Sequence, residues 1–313
     1  MYIIEGAGMN AISLFSGAGG LDLGFEESGI DILLAGDHWN CAVDTYVANR
    51  PGKTKIIRGD VNKHKSDIVD FGRKKKPDII FGGPPCQDFS SAGWRTGYGN
   101  RADLTLIFSQ IAAKVKPTWV VMENVNTILS IGQSVIRRSM ETLRRAGYGL
   151  TPMVLNSVDY GVPQLRKRFV LVARHNGHHN EMLPIMNSLK TNQQVTVKQY
   201  LPQIARGKNK TQYYYRHPWT FARRAIFSVD EPSPTIRGVN RPIPPSYKPH
   251  MNDATKNLSI VRPLSTSERA IIQTFPKDYV LSGTKTEKEQ QIGNSVPPLL
   301  ARAIADAIQL AGK

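Results

Sequence analysis

One pattern limits the fold more than any other: a short apolar strand that runs into a glycine-rich turn and then a helix, with the strand–helix rhythm continuing behind it. Ala11-Ile12-Ser13-Leu14-Phe15 reads as a buried strand, Ser16-Gly17-Ala18-Gly19-Gly20 as the turn, and residues 21–28 as the helix. Further strands are predicted over 30–35, 55–58, 77–82, 119–122 and 169–173. Helices are predicted over 41–49, 104–114 and 134–146, the first stopped by Arg50-Pro51 and the last by Gly147. Strands alternating with helices predict an open, mostly parallel α/β sheet, and such sheets bind ligands at the carboxyl ends of their strands.

The texture changes after Ala173. Residues 175–261 are rich in Asn, Gln, Pro, Tyr and basic side chains and show no helical period, which predicts a second, smaller, irregular domain. The α/β texture returns at 262, with helices near 267–273 and 299–310. The expected division is therefore 1–174, 175–261 and 262–313. Charge follows the same division. The chain carries 41 Lys and Arg against 25 Asp and Glu, a net of +16. The stretch 175–261 holds twelve Lys/Arg and four Asp/Glu, so +8, half of the excess. A concentrated basic patch is the electrostatic footprint of a phosphate-backbone binder.

Composition excludes other classes. With 40% apolar and 21% charged residues the chain is suited to a globular core. Two cysteines, Cys41 and Cys86, exclude a disulfide scaffold and an all-cysteine zinc site and fit a reducing, cytoplasmic compartment. Runs such as Trp119-Val120-Val121-Met122 are too short to span a bilayer, and the N-terminus carries no signal-peptide pattern. No membrane association and no metal are expected.

Several residues stand where such a fold does its chemistry. The glycines after the first strand let a backbone approach a nucleotide-like ligand, although Asp22 occupies the position where a nicotinamide dinucleotide fingerprint wants a third glycine. Asp37 and Asp60 follow the second and third strands, where a carboxylate can accept from ribose hydroxyls or an adenine amine. In Gly82-Gly83-Pro84-Pro85-Cys86-Gln87, a cysteine sits just past a strand in a loop stiffened by two prolines, a position for a thiolate nucleophile. The Ser- and Gly-rich stretch 88–100 behind it reads as a lid. Cys41, on a helix, reads as an inert residue. Glu123 ends an apolar strand, and desolvation there favours a protonated carboxyl able to act as an acid. Arg166 and Arg168 share one face of an extended segment and can grip a carbonyl oxygen. The pair His178-His179 reads as a solvated loop.

Together these blocks resemble the DNA (cytosine-5)-methyltransferases, of the bacterial restriction-modification type, over nearly the whole chain. The resemblance rests on Phe15-Ser-Gly-Ala-Gly-Gly, Gly59-Asp60, Pro84-Pro85-Cys86-Gln87, Glu123-Asn124-Val125, Gln164-x-Arg166-x-Arg168, Arg262-Pro-Leu-Ser-x-x-Glu268 with Phe275-Pro276, and Gly293-Asn294-Ser295-Val296-Pro297, in the family's order and spacing. The family start falls near Met9-Asn10, so Met1–Gly8 is an added leader or an upstream start.

The resemblance implies the Rossmann-like fold of S-adenosylmethionine-dependent methyltransferases with a target-recognition domain over 175–261. It implies that Cys86 adds to carbon 6 of a cytosine flipped out of duplex DNA, and that Glu123 protonates ring nitrogen 3. Arg168, and less directly Arg166, would hold the oxygen at carbon 2. S-adenosylmethionine would be lined by Phe15, Gly17, Gly19, Gly20, Leu21, Asp37, His38, Asp60, Val61, Pro84, Leu104, Asn294 and Val296. His38 stands where the family usually has an aromatic residue, and Asp37 where it more often has Glu. Gln87, Ser90 and Arg101 would meet DNA from the closing loop. The end of the variable region, Asp230-Glu-Pro-Ser-Pro-Thr235-Ile236, resembles the element that precedes a base-reading loop, with Arg223, Arg224, Arg237 and Arg241 around it. A monomer is expected, bound to double-stranded DNA in the nucleoid, with a cognate restriction endonuclease acting on the same site without a stable complex. Two rivals are weaker. The transfer-RNA-methylating branch carries a Cys-Phe-Thr signature, and no cysteine follows Cys86; a non-catalytic relative would have lost Cys86, Glu123 or Arg168.

Overall fold

The computed structural model describes residues 8–85, 103–206, 210–218, 220 and 223–312. Its strands, in chain order, are β1 (Asn10–Leu14), β2 (Asp31–Asp37), β3 (Lys55–Arg58), β4 (Ile79–Gly82), β5 (Trp119–Val125), β6 (Tyr148–Asn156), β7 (Gln164–Leu165), β8 (Lys167–His175), β9 (Tyr213–Tyr215), β10 (Ile226–Ser228), β11 (Ser233–Pro234) and β12 (Val261–Pro263). Seven of them form one sheet in the order β3-β2-β1-β4-β5-β8-β6. The pairs among β3, β2, β1, β4 and β5 are parallel, and β5 meets β8 antiparallel. The sheet is α/β and mostly parallel, as the alternation predicts.

The central strands are apolar on both faces because helices cover both sides of a parallel sheet. Ile12, Leu14, Ile80, Val120 and Leu171 are fully buried, and Phe108 and Ile111 of the helix Asp103–Val115 pack in the same core. Register brings the strand ends level: Leu14 lies beside Gly36 and Gly82, Asp37 beside Arg58, and Gly82 beside Met122. Whatever follows these residues therefore lines one edge of the sheet.

The two longest elements of this sheet region without a counterpart in the sequence-based reading are a helix and an edge strand. The helix Lys65–Lys75 is masked by its charge, for only Ile68, Val69 and Gly72 are buried, with Phe71 packed partly buried against the same core. Strand β6 contains Gly149 and Pro152, which read as breakers. It lies at the sheet edge, where a missing N–H is tolerated, and Pro152 points outward between buried Thr151 and Met153.

The chain forms two compact units: residues 1–155, 167–190 and 301–313 make the first, and 156–166 and 191–300 the second. This differs from the sequence-based division at both ends. Residues 175–190 belong with the sheet, because the loop after β8 returns over β6, where Leu150 N–H donates to His179 Nδ1 (3.0 Å) and the helix Met182–Ser188 buries Met182 and Met186. Residues 262–300 belong to the second unit. The second unit contains a three-stranded sheet, β10-β9-β12, and the short pair β11-β7. The block Arg262-Pro-Leu-Ser-x-x-Glu268 has a local cause. Ser265 and Glu268 form a reciprocal cap on the helix Thr266–Ile272, and Arg262 pairs with the same Glu268.

Candidate active site and recognition turn

In the first unit, the strand-end edge is assembled by backbone contact. A Cβ at Gly82 would stand 2.0 Å from the Leu14 carbonyl oxygen, so only glycine lets β4 run past the end of β1. Phe15 (φ 59°), Gly17 (φ 54°) and Gly19 (φ 80°) take the left-handed conformation that turns the chain back into the helix Gly20–Glu27. The Asp37 carboxylate fixes this turn to β2: Oδ2 accepts from Gly17 N–H (2.8 Å) and Oδ1 from Trp39 N–H (2.8 Å). His38 is exposed beside it, its Nδ1 3.5 Å from Asp37 Oδ1. Asp60, after β3, is exposed and accepts from Asn62 N–H, with Val61 buried next to it. Pro84 and Leu21 are buried and Leu104 is half-buried.

Behind the turn, Asp22 is fully buried. It accepts from the Tyr46 hydroxyl (2.9 Å), and burial pushes its pKa up to about 6 against the pull of Arg50. Arg50 in turn pairs with Glu26 (2.7 Å) and donates to the Gly19 carbonyl. The residue that spoils the nicotinamide fingerprint is thus a buried tie between two helices.

The neighbouring strand ends hold the acid–base candidates. Glu123 is buried and its Oε1 lies 2.8 Å from Nε of buried Arg168. Burial depresses the Arg168 pKa, and the adjacent Glu123 opposes that shift. Arg168 Nη1 donates to the Lys167 carbonyl (2.9 Å), which orients the guanidinium. Gly83 passes so close that a Cβ there would stand 3.0 Å from Glu123 Oε2. Asn124 donates to the Pro84 carbonyl (3.0 Å) and so ties the Pro-Pro loop to the end of β5. The sequence reading gave Asn124 no task; its place beside Glu123 was the available signal. Cys86, Gln87, Ser90 and Arg101 lie outside the described residues. Cys41 is half-buried on the helix Asn40–Ala48.

The second unit carries the other candidates. Asn294 is exposed at the end of the helix Lys285–Asn294, and Val296 is buried. Arg166 is fully buried. Nη1 donates to the Ile236 carbonyl (2.8 Å) and Nη2 to the carbonyls of Gly293 and Ser295 (both 2.8 Å). These bonds give Arg166 a holding task within its own unit. The arginines around Thr235-Ile236 divide by environment. Arg224 pairs with Glu231 and lies over the Phe227 ring at 4.4 Å, and Arg223 is exposed. Arg237 donates to the His217 carbonyl, and burial lowers its pKa. Arg241 is exposed and, with Asn240, Arg262 and Lys285, lines a groove of about 520 Å³. Arg216, which the sequence reading passed over, donates to the Thr235 carbonyl (3.3 Å); burial, aided by the cation of Arg237, brings its pKa to about 10.

Among the described residues no cluster of His, Cys, Asp and Glu is arranged for a metal, and no helix is long and apolar enough to cross a membrane.

An open, mostly parallel sheet of this strand order, with a carboxylate at the end of its second strand and a buried Glu–Arg pair at the end of its fifth, is an α/β fold of the class that binds ligands at its strand ends. Solved structures share the fold: a prophage-encoded Escherichia coli protein superposes with a TM-score of 0.72 (20% identity, 97% of this chain, 100% of that one). The Schizosaccharomyces pombe Dnmt2 methyltransferase superposes at 0.68 (18% identity, 97% and 98%). The family model of C-5 cytosine-specific DNA methylases matches residues 9–310. The chain is 46% identical to the Type II methyltransferase M.HindV of Haemophilus influenzae over 96% of both chains. It is 43% identical to M.HgiDI of Herpetosiphon aurantiacus, over 96% of this chain and 94% of that one. The chain belongs to the C-5 cytosine-specific DNA methylase family and is a DNA (cytosine-5)-methyltransferase.

Proposed function

We propose that this enzyme is the modification methyltransferase of a Type II restriction system. It would methylate carbon 5 of one flipped-out cytosine in a specific duplex sequence, through a covalent adduct of Cys86. The likeness to two Type II methyltransferases over nearly their whole length supports the system, and a cognate endonuclease would cut the same unmodified sequence. The observation that carries the chemistry is the buried Glu123–Arg168 pair at the strand end to which Asn124 ties the Pro84 carbonyl, two residues before Cys86.

Carbon 5 of cytosine is a poor nucleophile. Addition of the Cys86 thiolate to carbon 6 pushes the ring electrons toward carbon 5 and nitrogen 3. Glu123 delivers a proton to nitrogen 3 and neutralises the charge that develops there. Arg168 holds Glu123 in line and offers its guanidinium to the oxygen at carbon 2. After carbon 5 has taken the methyl group, nitrogen 3 returns its proton to Glu123, carbon 5 gives its proton to water, the electrons of that carbon–hydrogen bond re-form the double bond to carbon 6, and the carbon–sulfur bond breaks with its electrons leaving on the Cys86 thiolate. The target atoms are closed off inside a duplex, so the base must leave the stack.

S-adenosylmethionine, when bound, supplies the electrophilic methyl group. The residues present fit it. The turn from Phe15 to Leu21 carries no cation for a polyphosphate, and the side chains at the neighbouring strand ends, Asp37 and Asp60, are acceptors suited to ribose hydroxyls and an amine. Phe15, the glycines 17, 19 and 20, Leu21, His38, Val61, Pro84 and Leu104 would complete that face; the family resemblance adds Asn294 and Val296 to the cofactor's contacts. For reading DNA, the exposed Arg241 is the better base-edge candidate, and Arg237, spent on a carbonyl, stiffens the loop.

The test is expression in a host without cytosine methylation, followed by sequencing for 5-methylcytosine. The native enzyme marks one short motif, and Cys86→Ser marks none while Cys41→Ser retains the mark. A duplex with 5-fluorocytosine at the target traps a covalent complex with the native enzyme and S-adenosylmethionine. Trapping by Cys86→Ser would overturn the mechanism.

A further inference from the structure

The first unit carries a concentration of charge that the candidate active site does not use. Residues 53–76 hold nine Lys and Arg against three Asp, so +6 of the chain's +16 lies in this short stretch. Part of it has an ordinary cause. Arg58 pairs with Asp44 (2.8 Å), and Lys55 lies over the Phe71 ring at 4.9 Å. Arg73, Lys74 and Lys75 stand in the last turn of the helix Lys65–Lys75, where the helix dipole favours cations. Lys63 and Lys65 stand at the other end of that helix, where the dipole disfavours them.

Lys63, Lys65 and Arg73 meet Lys114 of the helix Asp103–Val115 around a groove of about 420 Å³. Asn62 and Ser66 add neutral donors to its lining, and Asp70 is its one carboxylate among the described residues. The cations are set on the walls by uncharged partners: Lys65 Nζ donates to the Gln110 side-chain oxygen, and Arg73 Nε to the Lys114 carbonyl (3.4 Å). Among the described residues none of the four is in an ion pair. Burial and the cation of Lys114 lower the Lys65 pKa, and an anion in the groove would offset both.

The groove suits a row of anions. Lys65 and Arg73 stand about 12 Å apart along their helix, at about 1.5 Å per residue. DNA carries a phosphate about every 3.4 Å of its axis on each strand, so several fall within that span. Asn62 and Lys63 follow β3 at the strand-end edge. Arg73 and Lys114 stand in the last turns of helices that carry the chain back from that edge, so the groove leads away from Glu123 and Arg168.

We propose that this groove is a second DNA site, which grips the phosphate backbone of a stretch of duplex other than the one being methylated and reads no sequence. Lys63, Lys65, Arg73 and Lys114 make the contacts, and each displaces a condensed counterion. The groove thereby holds the enzyme on DNA of any sequence.

The experiment compares Lys63→Gln/Arg73→Gln/Lys114→Gln with Lys74→Gln/Lys75→Gln/Lys76→Gln. Both triple variants lose three exposed cations, the second set outside the groove. Kd is measured by fluorescence anisotropy over a range of salt, for a short duplex that just covers the motif, a long one with the motif at its centre, and a long one without it. On both long duplexes the groove variant loses about tenfold or more in affinity, and its slope of log affinity against log salt flattens by about two units or more, at about one unit per phosphate contact. On the short duplex its slope changes by less than about one unit, and kcat there stays native. The other triple variant keeps the native slope within about one unit throughout. Equal losses on short and long duplexes would place the grip in the methylated segment, and equal losses in the two variants would make it general surface charge; either overturns the proposal. So does a groove variant that binds the long duplexes as the native enzyme does but has lost single-stranded RNA of the same length, which would assign the groove to RNA.

Discussion

The strand-end edge of the first unit and the recognition turn of the second are held by different means. On the edge, position comes from the sheet. Parallel strands in register bring Phe15, Asp37, Gly83 and Glu123 level, and the side chains add only short ties such as Asp37 to Gly17. In the recognition turn no long strand is available, since β7 and β11 are two residues each. Buried side chains take over: Gln164, Arg166, Arg216, Arg269 and Gln273 all bond carbonyls or amides of the turns or of one another. Close approaches such as Gly82 apart, a sheet ladder tolerates substitution of single side chains, because its bonds belong to the backbone. A side-chain scaffold does not, and the loss of one partner leaves a buried polar group unsatisfied. The second design makes the turn's position depend on each of these partners.

The largest effect that would break this comparison lies on the edge. Glu123→Gln keeps the shape of the pair but removes the proton donor, and kcat is expected to fall about 10²–10⁴-fold. Binding of DNA to Glu123→Gln should change far less, which single-turnover kinetics and a gel-shift titration separate. Next comes the buried carboxyl behind the glycine turn. The folded-state pKa of Asp22 is raised to about 6 from 3.8, so the unfolded chain ionises first and the fold loses stability as pH rises from about 4 to about 6. Above that window the cost is constant. Asp22→Asn removes it, and urea unfolding should show a gain of up to about 3 kcal/mol at pH 7 that vanishes near pH 4. A variant destabilised at pH 7 would mean that the carboxylate is held charged.

The second unit makes the finer distinction. Arg241→Ala should cost about 1–3 kcal/mol at one base position and relax the motif there, measured by bisulfite sequencing of a randomised target library. Arg237→Ala should lower yield at every site without relaxing one, since its guanidinium holds the His217 carbonyl. The reverse result would exchange their roles. The smallest effect is expected at Asp60, an exposed acceptor. Asp60→Ala should weaken S-adenosylmethionine by about 1 kcal/mol in calorimetry and leave the motif as it is.

Much of the edge is legible in the order of residues along the chain. Strand and helix periods, the glycines and the residues after each strand carry local signals, and Phe15, Asp37, Asp60 and Glu123 follow from them. The helix Lys65–Lys75 and β6 escape because charge and a proline hide a narrow buried face. The second unit is legible only as a basic, irregular stretch. Its real boundary, the split between Arg237 and Arg241, and the tasks of Arg216 and Gln273 are not.

What the sequence by itself determined is the order of the strands' chemistry: which residue follows which strand, and hence the family and the reaction. Those are statements about neighbours along the chain, where apolar period and glycine conformation act over a few residues. Only the tertiary structure decided that Arg166 holds carbonyls of Ile236, Gly293 and Ser295, up to 129 positions away, and that Gln164 meets Gln273 across 109. No local period encodes such partners. A buried donor takes whichever carbonyl the fold delivers to it, and the delivery depends on the packing of the unit as a whole.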